Sequence, residues 1–182
     1  YGVIRDPALF EKFERDAGLL LKRDPAAVEQ LVARCAAIKA EVVMADEKEG
    51  DLRRILNYGH TIGHALEAAA NYRRIKHGEA VGYGMIAAAR IGADLRKLSE
   101  ADRQRIEGAV GSIGRLPALD GVNSKAVLNA LRHDKKVRDG AIHFVIPREV
   151  GRVEITADVP ADILRDVVKE MLDEGKRVPR SG

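Results

Sequence analysis

The sequence predicts a mainly α-helical bundle domain with one short β-hairpin. Three observations lead to this fold class. Apolar residues recur at three- and four-residue intervals over most of the 182 residues, which is the spacing of one helix face. Alternation with a period of two is confined to residues 142–155, where it indicates a hairpin. Alternating strands and helices, and a Gly-rich loop of the phosphate-binding type, are both absent from the sequence.

The composition excludes several classes of protein. Apolar residues make up 46% and charged residues 32%, which supports a packed core and argues against wholesale disorder. A net charge of only +3, with 4% aromatic residues and no Trp, predicts no nucleic-acid partner. Cys35 stands alone, which excludes a disulfide framework. No uncharged apolar run approaches the ~18 residues of a membrane span, and no signal segment opens the chain, so we expect a cytoplasmic protein with no membrane partner.

The first half of the chain predicts helices with clear start signals. Asp6-Pro7 and Asp24-Pro25 each combine an N-capping carboxylate with a proline suited to the first helical turn. Residues 1–23 are therefore predicted to hold one or two helices. A second helix should run from there to about Ala45, because its apolar residues keep helical spacing. The charged stretch 46–51 is predicted to be a loop.

The second half predicts five more helices and the hairpin. The hairpin should alternate at Ile142, Phe144 and Ile146, turn at 147–151, and alternate again at Val153 and Ile155. We expect a single domain over residues 1–176 and a frayed tail at 177–182. The predicted helices cover residues 52–71, 77–97, 99–113, 124–134 and 160–174.

A polar stripe on the predicted helix 52–71 carries the strongest functional signal. Arg53, Asn57, His60 and His64 are spaced by four, three and four residues. On one continuous helix, these side chains fall within roughly 60° of arc. Unlike an ordinary solvated face, the stripe holds two imidazoles, an amide and a guanidinium, without Glu or Lys.

Glycines and a third histidine extend this signal. Gly59 and Gly63 would each cost about 1 kcal/mol in a helix interior relative to Ala, which indicates close approach of another backbone or a ligand. An antiparallel return of the helix that begins near His77 would bring this residue towards the stripe. The three histidines are candidate zinc ligands, and spacing alone favours the His60 and His64 pair. Glu67 and Glu79 are possible further ligands only by their proximity in the sequence.

The segments around these residues resemble 3-dehydroquinate synthase, a sugar-phosphate cyclase of the shikimate pathway. The resemblance covers essentially the whole chain and is most specific over residues 53–85. The family has an N-terminal NAD-binding α/β domain and a mainly helical C-terminal domain. Its domain junction carries a Glu-x-x-Lys-Tyr-Gly block, and this sequence begins at Tyr1-Gly2. The chain therefore resembles the C-terminal domain only, with a zinc-binding Glu and a substrate-binding Lys expected before residue 1. The segments that match lie at residues 39–43, 46–50, 53–67, 77–85 and 134–146.

The resemblance implies a role for each matching residue. His60 and His77 are implied as zinc ligands, while His64 is assigned to catalysis and phosphate contact, against the preference from spacing. Asn57 is implied as a substrate ligand with a part in catalysis. The remaining implied roles are carboxylate binding for Lys39 and Arg53, proton acceptance for Glu49, and phosphate binding for Lys136 or, second, Lys135.

The implied activity is a carbon–oxygen lyase reaction on phosphate. The substrate would be 3-deoxy-D-arabino-heptulosonate 7-phosphate, a small-molecule sugar phosphate, and the products 3-dehydroquinate and phosphate. The implied cofactors are zinc or cobalt and NAD, the latter bound mainly by the N-terminal domain. This domain would be the chain's partner, in a homodimeric enzyme, and the chain is expected to be inactive alone.

Two other interpretations stay open. The chain could belong to another sugar-phosphate cyclase, such as a 2-deoxy-scyllo-inosose synthase, although Lys39 with Arg53 favours a carboxylated substrate. The other is a non-catalytic helical domain that binds metal for structure, which predicts a closed site with four ligands.

Overall fold

Seven α-helices, one 3₁₀-helix and one β-hairpin follow one another in the computed structural model, which describes residues 1–49, 52–71, 75–137 and 140–176. For residues 47–49 and 134–137 it describes the backbone only. The elements are α1 (Pro7–Leu21), α2 (Pro25–Glu49), the 3₁₀-helix η1 (Leu52–Asn57), α3 (His60–Ala69), α4 (His77–Asp94), α5 (Glu100–Ser112), α6 (Ser124–Val137), β1 (Phe144–Glu149), β2 (Arg152–Thr156) and α7 (Ala161–Lys176).

Short polar side chains set where several helices begin. The Asp6 carboxylate accepts the N–H of Leu9 at 2.9 Å, and Asp24 accepts that of Ala27 at the same distance. Each bond satisfies one of the backbone donors that a helix N-terminus leaves without an intrahelical partner. Ser99 and Asn123 play the same part for α5 and α6. The two Asp-Pro start signals predicted from the sequence are thus confirmed.

Helix α4 lies at the centre of the molecule and packs against α3, α5, α7 and β1. Its small residues allow this close packing, and Ala80, Ala87, Ala89 and Ile91 have no exposed surface. Arg90 ties three of these helices together, since its guanidinium donates to Glu107 of α5 at 2.9 Å and to Glu174 of α7 at 2.6 Å. No helix in the described ranges is long and apolar enough to cross a membrane.

Strands β1 and β2 form the predicted hairpin. They pair antiparallel, with Val145 opposite Ile155 and Ile146 opposite Glu154. The register shifts between Pro147 and Glu149. Pro147 lies within β1, so the turn is shorter than the predicted turn at 147–151. Strand β1 packs on α4 and β2 packs on η1, so the hairpin is joined to the helices instead of forming a separate unit.

The mainly helical class with one hairpin is confirmed, whereas two predictions for residues 46–71 were wrong. Residues 46–49 belong to α2 and not to a loop, because charged Glu and Lys residues continue a helix readily. The predicted helix 52–71 is two elements, since η1 ends at Asn57 and α3 begins at His60. The break falls at Gly59, whose φ of +79° lies in the left-handed region that glycine adopts without steric penalty. The expected tail at 177–182 lies outside the described residues.

Candidate functional site

Three imidazole rings from helices α3 and α4 lie close together. The ring centroids of His60 and His77 are 5.3 Å apart, those of His60 and His64 are 5.4 Å apart, and those of His64 and His77 are 5.6 Å apart. One nitrogen from each ring lies within 4.8 Å of the other two. His60 is half-buried and the other two are exposed, so the cluster opens to solvent. The predicted approach of His77 to the stripe is confirmed.

A close crossing of main chains brings the two helices together. A Cβ atom on Gly84 of α4 would lie only 1.9 Å from the Gly59 carbonyl oxygen, and one on Gly63 would lie 3.0 Å from that of Ala80. Hence Gly59 and Gly84 admit no side chain where α3 and α4 cross. The sequence expectation that the glycines permit close backbone approach is confirmed. The presumed helix-interior cost at Gly59 was wrong, because this residue precedes α3.

The Nδ1 atoms of two histidines point to protein acceptors. Nδ1 of His60 lies 3.2 Å from the Tyr58 carbonyl oxygen, and Nδ1 of His77 lies 3.2 Å from a carboxylate oxygen of Glu67. Since a carbonyl or carboxylate oxygen only accepts, Nδ1 is the donor in both bonds. In the neutral rings, Nε2 is then the nitrogen with a free electron pair for a metal.

Tyr58 is fixed beside the cluster. Its hydroxyl donates to the Met85 carbonyl oxygen of α4 at 3.1 Å, and its side chain is buried. Burial strongly raises the pKa of Tyr58, because the phenolate would lose its hydration. The residue therefore stays a neutral donor and holds the turn before His60 against α4.

Arg53 and Asn57 lie on η1, not on the helix of the histidines. Both are exposed. Asp46 of α2 accepts the backbone N–H of Arg53 at 3.1 Å, and its second oxygen lies 4.0 Å from the Arg53 guanidinium. The single continuous stripe is thus corrected: Arg53 and Asn57 belong to η1 and the two histidines to α3, with the break at Gly59 between them.

The remaining predicted site residues lie on α2 and α6. Lys39 is exposed on α2. The side chains of Glu49, Lys135 and Lys136 lie outside the described residues.

Two carboxylates that the sequence offered as possible ligands have other contacts in the structure. Glu79 accepts the backbone N–H of Lys76 at 2.8 Å and caps α4. Glu67 contacts the ring of His77. The sequence already indicated that Glu67 lies on the same side of α3 as the histidines, because residues 60, 64 and 67 are spaced by four and three. No sequence pattern predicted that Asp46 would contact Arg53, or that the Tyr58 carbonyl oxygen would accept a hydrogen bond from His60.

A small helical domain in which three imidazoles converge from antiparallel helices is a candidate metal-binding domain. Comparison with known proteins makes the class more specific. The family model for the 3-dehydroquinate synthase C-terminal domain matches residues 1–137. The chain belongs to this family.

Curated relatives agree with the family match. The chain is 45% identical over 170 residues to the 3-dehydroquinate synthase of Koribacter versatilis, covering 93% of this chain and 46% of the relative. It is 44% identical over 176 residues to that of Nostoc punctiforme, covering 94% and 48% respectively. The chain thus spans about half the length of the curated relatives it matches.

Solved structures of sugar-phosphate cyclases share the fold. The 2-epi-5-epi-valiolone synthase ValA of Streptomyces hygroscopicus subsp. jinggangensis, with NAD⁺ and Zn²⁺ bound, matches with a TM-score of 0.81 and 26% identity, over 95% of this chain and 48% of that one. A 2-deoxy-scyllo-inosose synthase complexed with carbaglucose-6-phosphate, NAD⁺ and Co²⁺ matches with a TM-score of 0.69 and 28% identity, over 80% and 41%.

Proposed function

We propose that this chain is the metal- and substrate-binding part of a 3-dehydroquinate synthase. The reaction would convert 3-deoxy-D-arabino-heptulosonate 7-phosphate into 3-dehydroquinate and phosphate by transient NAD-dependent oxidation, phosphate elimination, reduction and intramolecular aldol closure. The observation that carries the proposal is the convergence of His60, His64 and His77 in a chain of this family.

The donor set fits zinc or cobalt. Neutral imidazole nitrogens are good ligands for both ions, and the bonds at Nδ1 leave Nε2 of His60 and His77 available. We propose these two histidines as the metal ligands within this chain. The exposure of the cluster favours an open catalytic site over a closed structural one, because a structural zinc is enclosed by four protein ligands. When bound, the metal would act as a Lewis acid on the substrate.

His64 is the third imidazole, and we assign it to proton transfer and phosphate contact. Its ring lies beside both proposed ligands. An imidazole titrates near neutral pH, so it can both accept and donate a proton during the reaction. Glu49 is proposed as a further proton acceptor by the family resemblance.

Cationic side chains would hold the two anionic ends of the substrate. A guanidinium offers a planar pair of donors to a carboxylate, and an ammonium offers a point charge. We propose Arg53 and Lys39 for the carboxylate, with Asn57 as a neutral substrate ligand. Lys136, or else Lys135, is proposed for the phosphate. Asp46 would orient Arg53 through the contacts described above.

The proposed partner of the chain is an NAD-binding domain. Cyclases that share this fold are solved with NAD⁺ bound, and the chain covers about half of their length. We propose that residues 1–176 form one domain, that activity requires the other half, and that the complete enzyme is a cytoplasmic homodimer.

The test measures zinc and turnover together in the full-length enzyme. His60→Ala and His77→Ala should each lose bound zinc and 3-dehydroquinate formation, because each removes one metal ligand. His143→Ala is the matched control, since this exposed histidine lies outside the cluster. Full zinc occupancy in either cluster variant would contradict the ligand assignment.

The substrate assignment needs a separate assay. The wild-type enzyme should turn over the carboxylated substrate and not the uncarboxylated sugar phosphates of the other cyclases. Turnover of an uncarboxylated substrate alone would instead support a 2-deoxy-scyllo-inosose synthase or a valiolone-forming enzyme.

A further inference from the structure

We propose that Glu67 is a positioning residue for His77: its carboxylate holds the imidazole with Nδ1–H turned towards α3 and Nε2 turned towards the metal. The inference rests on the proposed function, because it assumes that His77 binds the metal. It adds a residue that neither touches the substrate nor binds the ion.

The contact is specific and joins two elements. Glu67 Oε2 lies 3.2 Å from Nδ1 of His77, across the gap between the last turn of α3 and the first residue of α4. The Glu67 side chain is only 13% exposed, whereas that of His77 is 57% exposed. A largely buried carboxylate thus anchors a ring that solvent would otherwise leave free to change its rotamer.

The location of Glu67 argues against a purely local stabilising role. It lies two residues before the end of α3, where the helix dipole disfavours a negative charge. Burial of a carboxylate also costs free energy unless a donor compensates it. Within the described part of the chain, the donor to Glu67 is the ring of a proposed metal ligand.

His60 shows the same arrangement by a different route. Its Nδ1 donates to the Tyr58 carbonyl oxygen, so the backbone does for His60 what the Glu67 side chain does for His77. In metal sites, such partners fix the tautomer and ring orientation of the ligand, and their loss typically costs 10–100-fold in metal affinity or activity. Both rings would then present Nε2 to one ion.

The test compares Glu67→Ala and Glu67→Gln by zinc affinity and by the cobalt absorption spectrum, in the full-length protein. Glu67→Ala should raise the zinc dissociation constant about 10–100-fold and change the cobalt spectrum, because the His77 ring loses its fixed orientation. Glu67→Gln keeps an acceptor oxygen of the same reach, so it should recover most of the affinity. A merely structural role would lower the melting temperature of the metal-free protein without changing the zinc affinity of the folded state.

Glu79→Ala is the matched control. This carboxylate also bonds across the start of α4, but to the backbone N–H of Lys76. The control should lower stability slightly and leave zinc affinity within about threefold of wild type, a change of less than about 0.7 kcal/mol. An equal loss of zinc affinity in Glu79→Ala and Glu67→Ala would overturn the proposal, because a loosened helix start would then explain both.

A double-mutant cycle separates this inference from the proposed function. If Glu67 acts through His77, adding Glu67→Ala to His77→Ala should cause no further loss of zinc affinity. If His77→Ala alone retains zinc affinity, the proposed function fails. If His77→Ala loses zinc while Glu67→Ala binds it as wild type does, only the positioning role is refuted.

Discussion

The two ring nitrogens of His60, and likewise those of His77, have different hydrogen-bonding roles in this protein. In His60 and His77, Nδ1 donates to an acceptor of the protein, which leaves Nε2 of the neutral ring with its free electron pair. The side chains proposed to bind the substrate, Arg53 and Asn57, are exposed on η1. Their ordering would therefore depend on the substrate and, for Arg53, on Asp46.

Arg53→Ala tests the carboxylate site. It should raise KM for the carboxylated substrate about 10–100-fold, because a hydrogen bond between charged groups contributes about 1.5–3 kcal/mol. Affinity for NAD should not change. The measurement is steady-state kinetics together with NAD titration of the full-length enzyme.

Arg152→Ala is the control for this experiment, because Arg152 is similarly exposed but pairs with Glu149 in the hairpin. Equal losses of substrate and NAD affinity in Arg53→Ala would refute a role specific to the carboxylate.

The sequence predicted which histidines come together but not how they are supported. His60 and His64 share a helix face, and the return of the chain through α4 brings His77 to them. The helical spacing and the assumption of an antiparallel neighbour were therefore enough to predict that the three histidines meet. The bond between Glu67 and His77 depends on side-chain rotamers at two helix ends, which spacing alone does not determine. The acceptor for His60 is the backbone carbonyl of Tyr58, and a backbone contact cannot be predicted from residue types.

At the scale of the elements, the crossing of α3 and α4 decides the geometry of the cluster. Gly84→Ala should destabilise the protein by about 3 kcal/mol or more, because the new Cβ would overlap the Gly59 carbonyl oxygen and overpacking typically costs 1–3 kcal/mol. The melting temperature should then fall by about 6–12 °C, and zinc binding should weaken.

Gly108→Ala provides the contrast within α5. A Cβ at this position meets nothing within 4 Å, and alanine is the better helix former by up to about 1 kcal/mol. The substitution should leave the melting temperature unchanged or raise it. A Gly84→Ala protein that melts within a degree of wild type would show that the crossing relaxes easily.

The break between η1 and α3 shows where prediction from spacing fails. The apolar and polar pattern of residues 52–71 is compatible with one continuous helix. Gly59 instead takes a positive φ because the Gly84 backbone packs against it, and this contact is 25 residues away in sequence. A tertiary contact thus overrides the local periodicity.

At the scale of the whole molecule, the metal and the fold should stabilise each other. Free zinc at 100 times its dissociation constant should stabilise the protein by about 2.7 kcal/mol, because binding favours the folded state. For a protein of this length, the melting temperature should rise by about 5–10 °C. Differential scanning calorimetry with and without a chelator measures the shift.

The same experiment on variants identifies the ligands. His143→Ala should show the wild-type shift, whereas His60→Ala and His77→Ala should show little or none. Identical melting curves for the zinc-loaded and chelator-treated wild type would indicate that the cluster does not bind zinc.

The main-chain contact between Gly59 and Gly84 has a consequence for coordination chemistry. A joint made of backbone atoms has no rotamers to change, so the separation of the α3 and α4 main chains is set before any ion arrives. If the cluster binds metal as proposed, this fixed backbone would reduce the conformational entropy lost on binding. Selection among ions of similar charge would then depend on how well each ion fits this fixed separation of the helices, in addition to the orientation of the imidazoles.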